Sequence, residues 1–174
     1  MPVDQREQRH KARILQLLEH TDAPFSREQY VPGHVTASAF VTSVDGRALL
    51  LILHGKLQLW LQPGGHVDPS DSDVLASARR EVLEETGLAD LTLATPGLFD
   101  VDVHEIPARK GQPAHEHFDV RFLFTTRELS ATAGSDAKAV RWVPVAELQA
   151  ATGERVYPSD ESVMRAVRKL HGVF

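Results

Sequence analysis

A chain of 174 residues with 42% hydrophobic and 25% charged side chains has the composition of one globular domain, long enough to bury a real core. It has no cysteine, which excludes disulfides, thiolate zinc sites and cysteine nucleophiles together and suits a reducing compartment. The net charge of −5 and the lack of a dense Lys/Arg cluster argue against nucleic acid as a partner, no apolar run approaches the roughly 20 residues of a membrane span, and Met1 to Lys11 lacks the apolar stretch of a signal peptide, so a cytoplasmic protein is expected.

Asp4 to His20 has the pattern of a helix, with Ile14, Leu15, Leu17 and Leu18 as its apolar side. Ser26 to Gln29 has capping-box spacing and is read as opening one short turn, and Pro32-Gly33 closes this N-terminal arm, residues 1–30. A domain of residues 31–174 follows. Small and β-branched residues predict a strand over His34 to Val44, and Asp45-Gly46 signals a hairpin. Ala48 to Leu53 is a continuous apolar run, the pattern of a strand covered on both faces. Leu57, Leu59 and Leu61 alternate ahead of Pro63-Gly64-Gly65. Ser72 to Thr86 is the clearest helix, with Asp71 and Asp73 at its start and Gly87 where a left-handed cap belongs. Strands are expected over Leu91 to Ala94, Leu98 to Ile106, Phe118 to Thr125 and Ala139 to Val143, a loop over Pro107 to Pro113, and a last helix over Ser159 to His171. The order predicts an α/β (mixed α+β) layered fold around one core.

The segment Gly64 to Leu88 carries the chemistry. Glu81, Glu84 and Glu85 stand at i, i+3 and i+4 and share one side of the helix, while Leu75, Ala78, Val82 and Leu83 are placed to pack on another. Like charges so placed repel by a few tenths of a kcal/mol per pair. Hard oxygen donors converging on a divalent cation such as Mg²⁺ or Mn²⁺ offset that repulsion. Arg80 is placed to orient a carboxylate through a bidentate contact. Taken alone, paired glutamates on a helix more often mark a solvated face.

The wider pattern decides between the two. Pro63-Gly64-Gly65, followed by Arg80-Glu81-Val82-Leu83-Glu84-Glu85-Thr86-Gly87-Leu88, resembles the box of the Nudix hydrolases. Val140-Arg141-Trp142-Val143-Pro144 with Glu147-Leu148 resembles the late strand and turn of many members. One departure stands: the spacing from Gly65 to Arg80 is one residue longer than usual, and Asp71 replaces the first glutamate of the box. The extra residue falls in Asp68 to Ser72, ahead of the helix, so the later carboxylates keep their register.

The resemblance implies an α/β/α sandwich around a mixed sheet, with the box as a loop-helix-loop. It implies that Glu81, Glu84 and Glu85, with a backbone carbonyl of Gly64 or Gly65, hold Mg²⁺ or Mn²⁺, and that water attacks phosphorus in line. The general base varies across the family; Glu81 and Glu84 are candidates, and Asp136 lies in the loop before the late strand, where many members carry an acid. The implied substrate is a small nucleotide-like diphosphate, and a homodimer is open.

Outside the box, His115, His117, Asp119 and Arg121 fall on one side of a strand whose Phe118, Val120, Phe122 and Phe124 face the core. The two histidines suit contact with substrate, a zinc site, or an ordinary polar strand face at the mouth of the domain. His66 is placed either beside the phosphates or as an exposed loop residue. Phe40 and Trp60 suit a base pocket or the core. The first helix is read either as a subunit-contact arm or as cover for a sheet edge. Among functions, a pyrophosphohydrolase leads. A noncatalytic nucleotide-binding domain usually loses box carboxylates that are kept here. Isoprenoid diphosphate isomerase chemistry relies on a cysteine that is absent, and RNA decapping is disfavoured by the acidic charge.

Overall fold

The computed structural model describes residues 4–109, 111–134, 137–150 and 161–174. Its elements in chain order are α1 (Gln5–His20), β1 (Gly33–Ser43), β2 (Ala48–His54), β3 (Trp60–Leu61), β4 (Gly64–His66), α2 (Val74–Thr86), β5 (Thr92–Leu93), β6 (Asp100–Ile106), β7 (His115–Thr126), β8 (Ala137–Pro144), α3 (Val145–Ala150) and α4 (Glu161–Lys169), with a 3₁₀ turn at Leu170–Gly172.

The strands form one mixed sheet organised on β1 and β7, which run parallel in register from Gly33 opposite Glu116 to Ser43 opposite Thr126. Antiparallel β6 and β5 extend the free side of β7. The other side of β1 is shared: β4 pairs with Thr36 to Ser38, and β2 joins at Thr42. Behind β2 comes β8, paired along the length of that strand.

Helices cover both faces. On one, Val35, Ala37, Ala39 and Val41 of β1 and Phe118, Val120, Phe122 and Phe124 of β7 pack with Ile14 and Leu17 of α1 and Ala78 and Val82 of α2. On the other, Phe40, Leu49, Leu51 and Leu123 pack with Leu148 of α3 and Val163, Ala166 and Val167 of α4. The unbroken run Leu49-Leu50-Leu51 feeds both cores alternately, which is why it carries no polar residue. Each such side chain contributes about 1.5–3 kcal/mol when fully buried.

Two expectations need correction. The buried stripe of α1 is Glu7, His10, Ile14 and Leu17, with Leu15 and Leu18 exposed. The helix lies on β6, at the sheet edge, and His10 Nδ1 accepts the Val103 N–H at 3.1 Å, satisfying an edge donor. The alternation of Leu57 and Leu59 makes no strand: His54 Nδ1 accepts two successive backbone N–H groups, Gln58 takes a left-handed φ of 56°, and pairing resumes only at Trp60. Ser26 to Gln29 forms the short turn expected of it, closed by Gln29 N–H to Ser26 O at 2.9 Å. The helix α3 directly after β8 went unforeseen.

Candidate active site

The box helix is set by its ends. Asp73 caps α2 by accepting the Ala76 N–H at 2.7 Å, so the helix begins at Val74 rather than Ser72. Gly87 ends it with φ 75°, its N–H reaching Leu83 O at 2.9 Å. Ala78 and Val82 anchor the helix on the sheet, but Leu83, expected to pack, is exposed, and Glu85, expected among the open carboxylates, is buried.

Short strand β4 brings the glycines under this helix. The Gly64 N–H donates to Glu85 Oε2 at 3.0 Å. A Cβ on Gly65 would stand 2.6 Å from Glu81 Oε1, so only a residue without a side chain lets the strand approach that carboxylate. Arg80 binds the rest together: its Nη1 donates to Glu81 Oε1 at 2.8 Å and to Glu84 Oε2 at 3.2 Å. The three carboxylates are therefore held by different partners: Arg80 keeps Glu81 and Glu84 together, while the Gly64 amide holds Glu85. Burial pushes the Glu81 carboxyl above the ordinary glutamate range, opposed by the hydrogen bond and charge of Arg80.

The inserted loop has a visible purpose. Asp68 and Asp71 fold it locally, with Asp71 Oδ2 accepting Asp68 N–H and Asp68 Oδ1 accepting from Ser70. Asp71 then takes Arg80 in a fork, from Nε at 3.1 Å and Nη2 at 3.0 Å, while Nη2 also donates to His66 O at 2.9 Å. Hydrogen bonds from Arg80 hold Asp71 down at about 2. Asp71 thus positions the arginine that positions Glu81 and Glu84.

The donor set suits a hard divalent cation. Glu81, Glu84 and Glu85 supply carboxylate oxygens, and Gly65 brings its main chain close against Glu81. Asp136 lies outside the described residues. Its loop neighbour Gly134 seals the end of α2, with its N–H on Glu85 O at 3.0 Å and no room for a Cβ against Glu84 O.

On the opposite face of β1, β4 and β7 the predicted histidines meet two that sequence reasoning had not joined to them. His34 (β1), His66 (β4), His115 and His117 (β7) cluster with ring centroids 4.9–5.3 Å apart. His66 is therefore a strand residue rather than an exposed loop residue. Desolvation by burial lowers His66 to about 4 and His117 to about 2, and also lowers His34. No signal within one segment finds this group, because it depends on strand register across the sheet.

Asp119 and Arg121, read as a polar strand face at the mouth of the domain, are instead buried under α4. Asp119 accepts from Thr36, from Ser38 at 2.8 Å and from Arg121 Nε at 2.7 Å. Arg121 continues to Asp100 and Ser162, and Arg165 and Lys169 of α4 close on Asp100 from the other side. Burial raises Asp102, but the His104 hydrogen bond and the Arg121 charge outweigh it and leave the carboxyl well below its usual range. Phe40 belongs to the core, and Trp60 is half-buried with the Arg141 guanidinium 5.4 Å from its ring centroid.

Comparison with known proteins agrees with this geometry. A family model described as NUDIX domain matches residues 32–166. Phosphatase NudJ of Escherichia coli (strain K12) is 33% identical over 128 residues, covering 70% of this chain and 75% of that protein. A Clostridium perfringens hydrolase of the NUDIX family superposes with a TM-score of 0.59 at 24% identity, over 81% of this chain and 98% of that one. The NUDIX domain of Shewanella oneidensis NrtR, solved with ADP ribose, gives a TM-score of 0.59 at 16% identity, over 91% and 96% of the two chains.

Proposed function

The chain belongs to the Nudix family and is a pyrophosphohydrolase of it, and from that premise we propose that it uses a divalent cation to split the phosphoanhydride of a nucleoside diphosphate linked to a further group. The observation that carries this reading is that Arg80 holds Glu81 and Glu84 while the Gly64 amide holds Glu85 one turn along the same helix, with Gly65 close against Glu81.

Each residue then has a task. Glu81, Glu84 and Glu85, with the Gly65 carbonyl, would hold Mg²⁺ or Mn²⁺. When bound, that cation neutralises charge on the pyrophosphate oxygens and acidifies a water. Gly64 and Gly65 let the phosphates approach the main chain. Glu81 accepts the proton from the attacking water. The water oxygen bonds to one phosphorus, the bridging oxygen leaves with the other phosphate, and two phosphorylated products separate. Arg80, fixed by Asp71, keeps Glu81 and Glu84 aligned. The substrate class is supported by the nucleotide-like ligand named for the NrtR domain, whose fold this chain shares.

The test is a panel of sugar nucleotides, dinucleotides and nucleoside triphosphates assayed with Mg²⁺ and Mn²⁺. At least one should be hydrolysed, and chelation should abolish turnover. Glu84→Gln and Glu85→Gln should each lower kcat roughly 10²-fold or more with the fold intact. Glu84 is exposed, and in Glu85→Gln the side-chain amide oxygen can still accept the Gly64 N–H. If no member of the panel is cleaved, the hydrolase reading fails and a nucleotide-binding role takes its place.

A further inference from the structure

We propose that His34, His66 and His117 form a binding site for a zinc-class divalent transition metal, separate from the carboxylates of the box. One ring nitrogen from each residue lies within 4.8 Å of the other two. Tetrahedral zinc with bonds of about 2.0–2.1 Å to nitrogen spaces its ligands by about 3.3 Å, so the nitrogens have at most about 1.5 Å to close.

The placement is fixed by the sheet. His34 stands opposite His117 in the parallel β1–β7 ladder, and His66 stands opposite Thr36 in the β1–β4 ladder. Three adjacent strands thus present one imidazole each to the same face, on backbone that is hydrogen-bonded at both sides of β1. Elements of this kind hold ligand geometry more precisely than loops do.

The hydrogen bonding is that of a metal-ready histidine. His34 Nδ1 lies 3.0 Å from Gln29 O, which can only accept, so Nδ1 carries the proton and the lone pair sits on Nε2. That Nε2 is fully buried and has no hydrogen-bond partner among the described residues. A buried polar atom without a partner is uncommon and asks for an explanation. Stacking of the rings alone does not supply one, since a ring face is no donor to a lone pair, whereas a cation at this point would.

The chemistry separates this group from the box. Borderline nitrogen donors select zinc, cobalt, nickel or copper, whereas hard carboxylate oxygens suit Mg²⁺ and Mn²⁺. The two sites also lie on opposite sides of β4. Gly65 faces Glu81, while Gly64 and His66 face Ser38 and His34. The fourth histidine of the cluster, His115, has its Nδ1 2.8 Å from Pro113 O and lies outside the trio.

The test uses full-length, tag-free protein stripped by chelation and held in excess Mg²⁺, titrated with Co²⁺ and followed by its visible d–d absorption. Wild type and the double variant E84Q/E85Q should each take up one equivalent, with the strong bands of a four-coordinate ion, and Zn²⁺ should erase them. His34→Gln, His66→Gln and His117→Gln, each checked for folding by circular dichroism, should weaken uptake roughly 100-fold. A second readout on wild type alone is the thermal midpoint, which should rise with Zn²⁺ at constant Mg²⁺. Wild type that takes up no Co²⁺ or Zn²⁺ under saturating Mg²⁺ would overturn the proposal, as would uptake that the histidine variants retain or that E84Q/E85Q removes.

Discussion

Replacing Gly65 by alanine separates catalysis from folding. The added methyl would stand 2.6 Å from Glu81 Oε1 and 2.7 Å from Oε2, where ordinary contact begins near 3.4 Å, so the carboxylate must retreat by about 1 Å. Nothing in the fold resists this strongly, because the displaced atoms are the far end of a side chain. Gly65 also has no positive φ that alanine would strain. Catalysis does resist it: a misplacement of about 1 Å costs roughly 10²-fold, or about 2.7 kcal/mol of transition-state stabilisation. Steady-state hydrolysis of the best substrate in the panel should show kcat reduced about 10²-fold, with the concentration of Mg²⁺ for half-activation raised and the thermal midpoint within about 2 °C of wild type. Gly64→Ala is the control. Its methyl would meet Ser38 Cβ at 2.2 Å and backbone Cα at 2.7 Å, so the strands themselves must part. Overpacking of that kind costs about 1–3 kcal/mol and lowers the midpoint by roughly 3 to 10 °C. Gly65→Ala with kcat within about threefold of wild type would refute the claim that Glu81 and Gly65 build the site together.

Three further outcomes follow from the same contacts. Arg80→Lys removes the fork that spans Asp71, Glu81 and Glu84; since Arg80 lowers Glu81, the acid limb of the kcat/KM profile should move to higher pH, and a limb that stays or moves down contradicts Glu81 as base. Asp71 sits near 2 when folded against 3.8 ordinarily, so its contribution is present above about pH 4 and is lost as pH falls toward 2. Allowing for screening by solvent, Asp71→Asn should cost about 1 kcal/mol in urea melts at pH 7, with the difference from wild type vanishing near pH 2. Arg121→Met removes the buried cation shared by Asp100, Asp102 and Asp119 and should destabilise by about 3–5 kcal/mol, read as a lower urea midpoint.

The legible parts of the fold were those decided locally. The start and end of α2 depend on Asp73 and Gly87, both of which act within one turn of chain. The strand Ala48–His54 announced that both its faces are covered because no polar residue interrupts Leu49 to Ile52. What failed needed knowledge of the neighbouring layer. Periodicity placed Asp119 and Arg121 on one strand face but not the helix that buries them, and it grouped Leu83 with the packing residues although the sheet meets the side carrying Glu85. The family box named the acids at Glu81, Glu84 and Glu85. It did not foretell that Arg80 would hold two of them, nor that Asp71 would take over as partner of that arginine after the insertion.

The three residues Gly64-Gly65-His66 tie the two sites to one strand. Side chains in a strand alternate between faces, so neighbours in β4 look into different chemistry. The middle position opens toward the carboxylates of α2, and its two neighbours look toward Ser38 and the imidazoles of β1 and β7. A slip of one residue in the β1–β4 register would turn His66 toward Glu81 and a glycine toward His34, and both groups would be lost together. The pairing of Thr36 with His66 and Ser38 with Gly64 is therefore a functional constraint as well as a structural one. It also explains where the box can lengthen: an extra residue between Asp68 and Ser72 leaves β4 on its register and α2 on its cap, whereas the same residue between Pro63 and His66 would exchange the two faces.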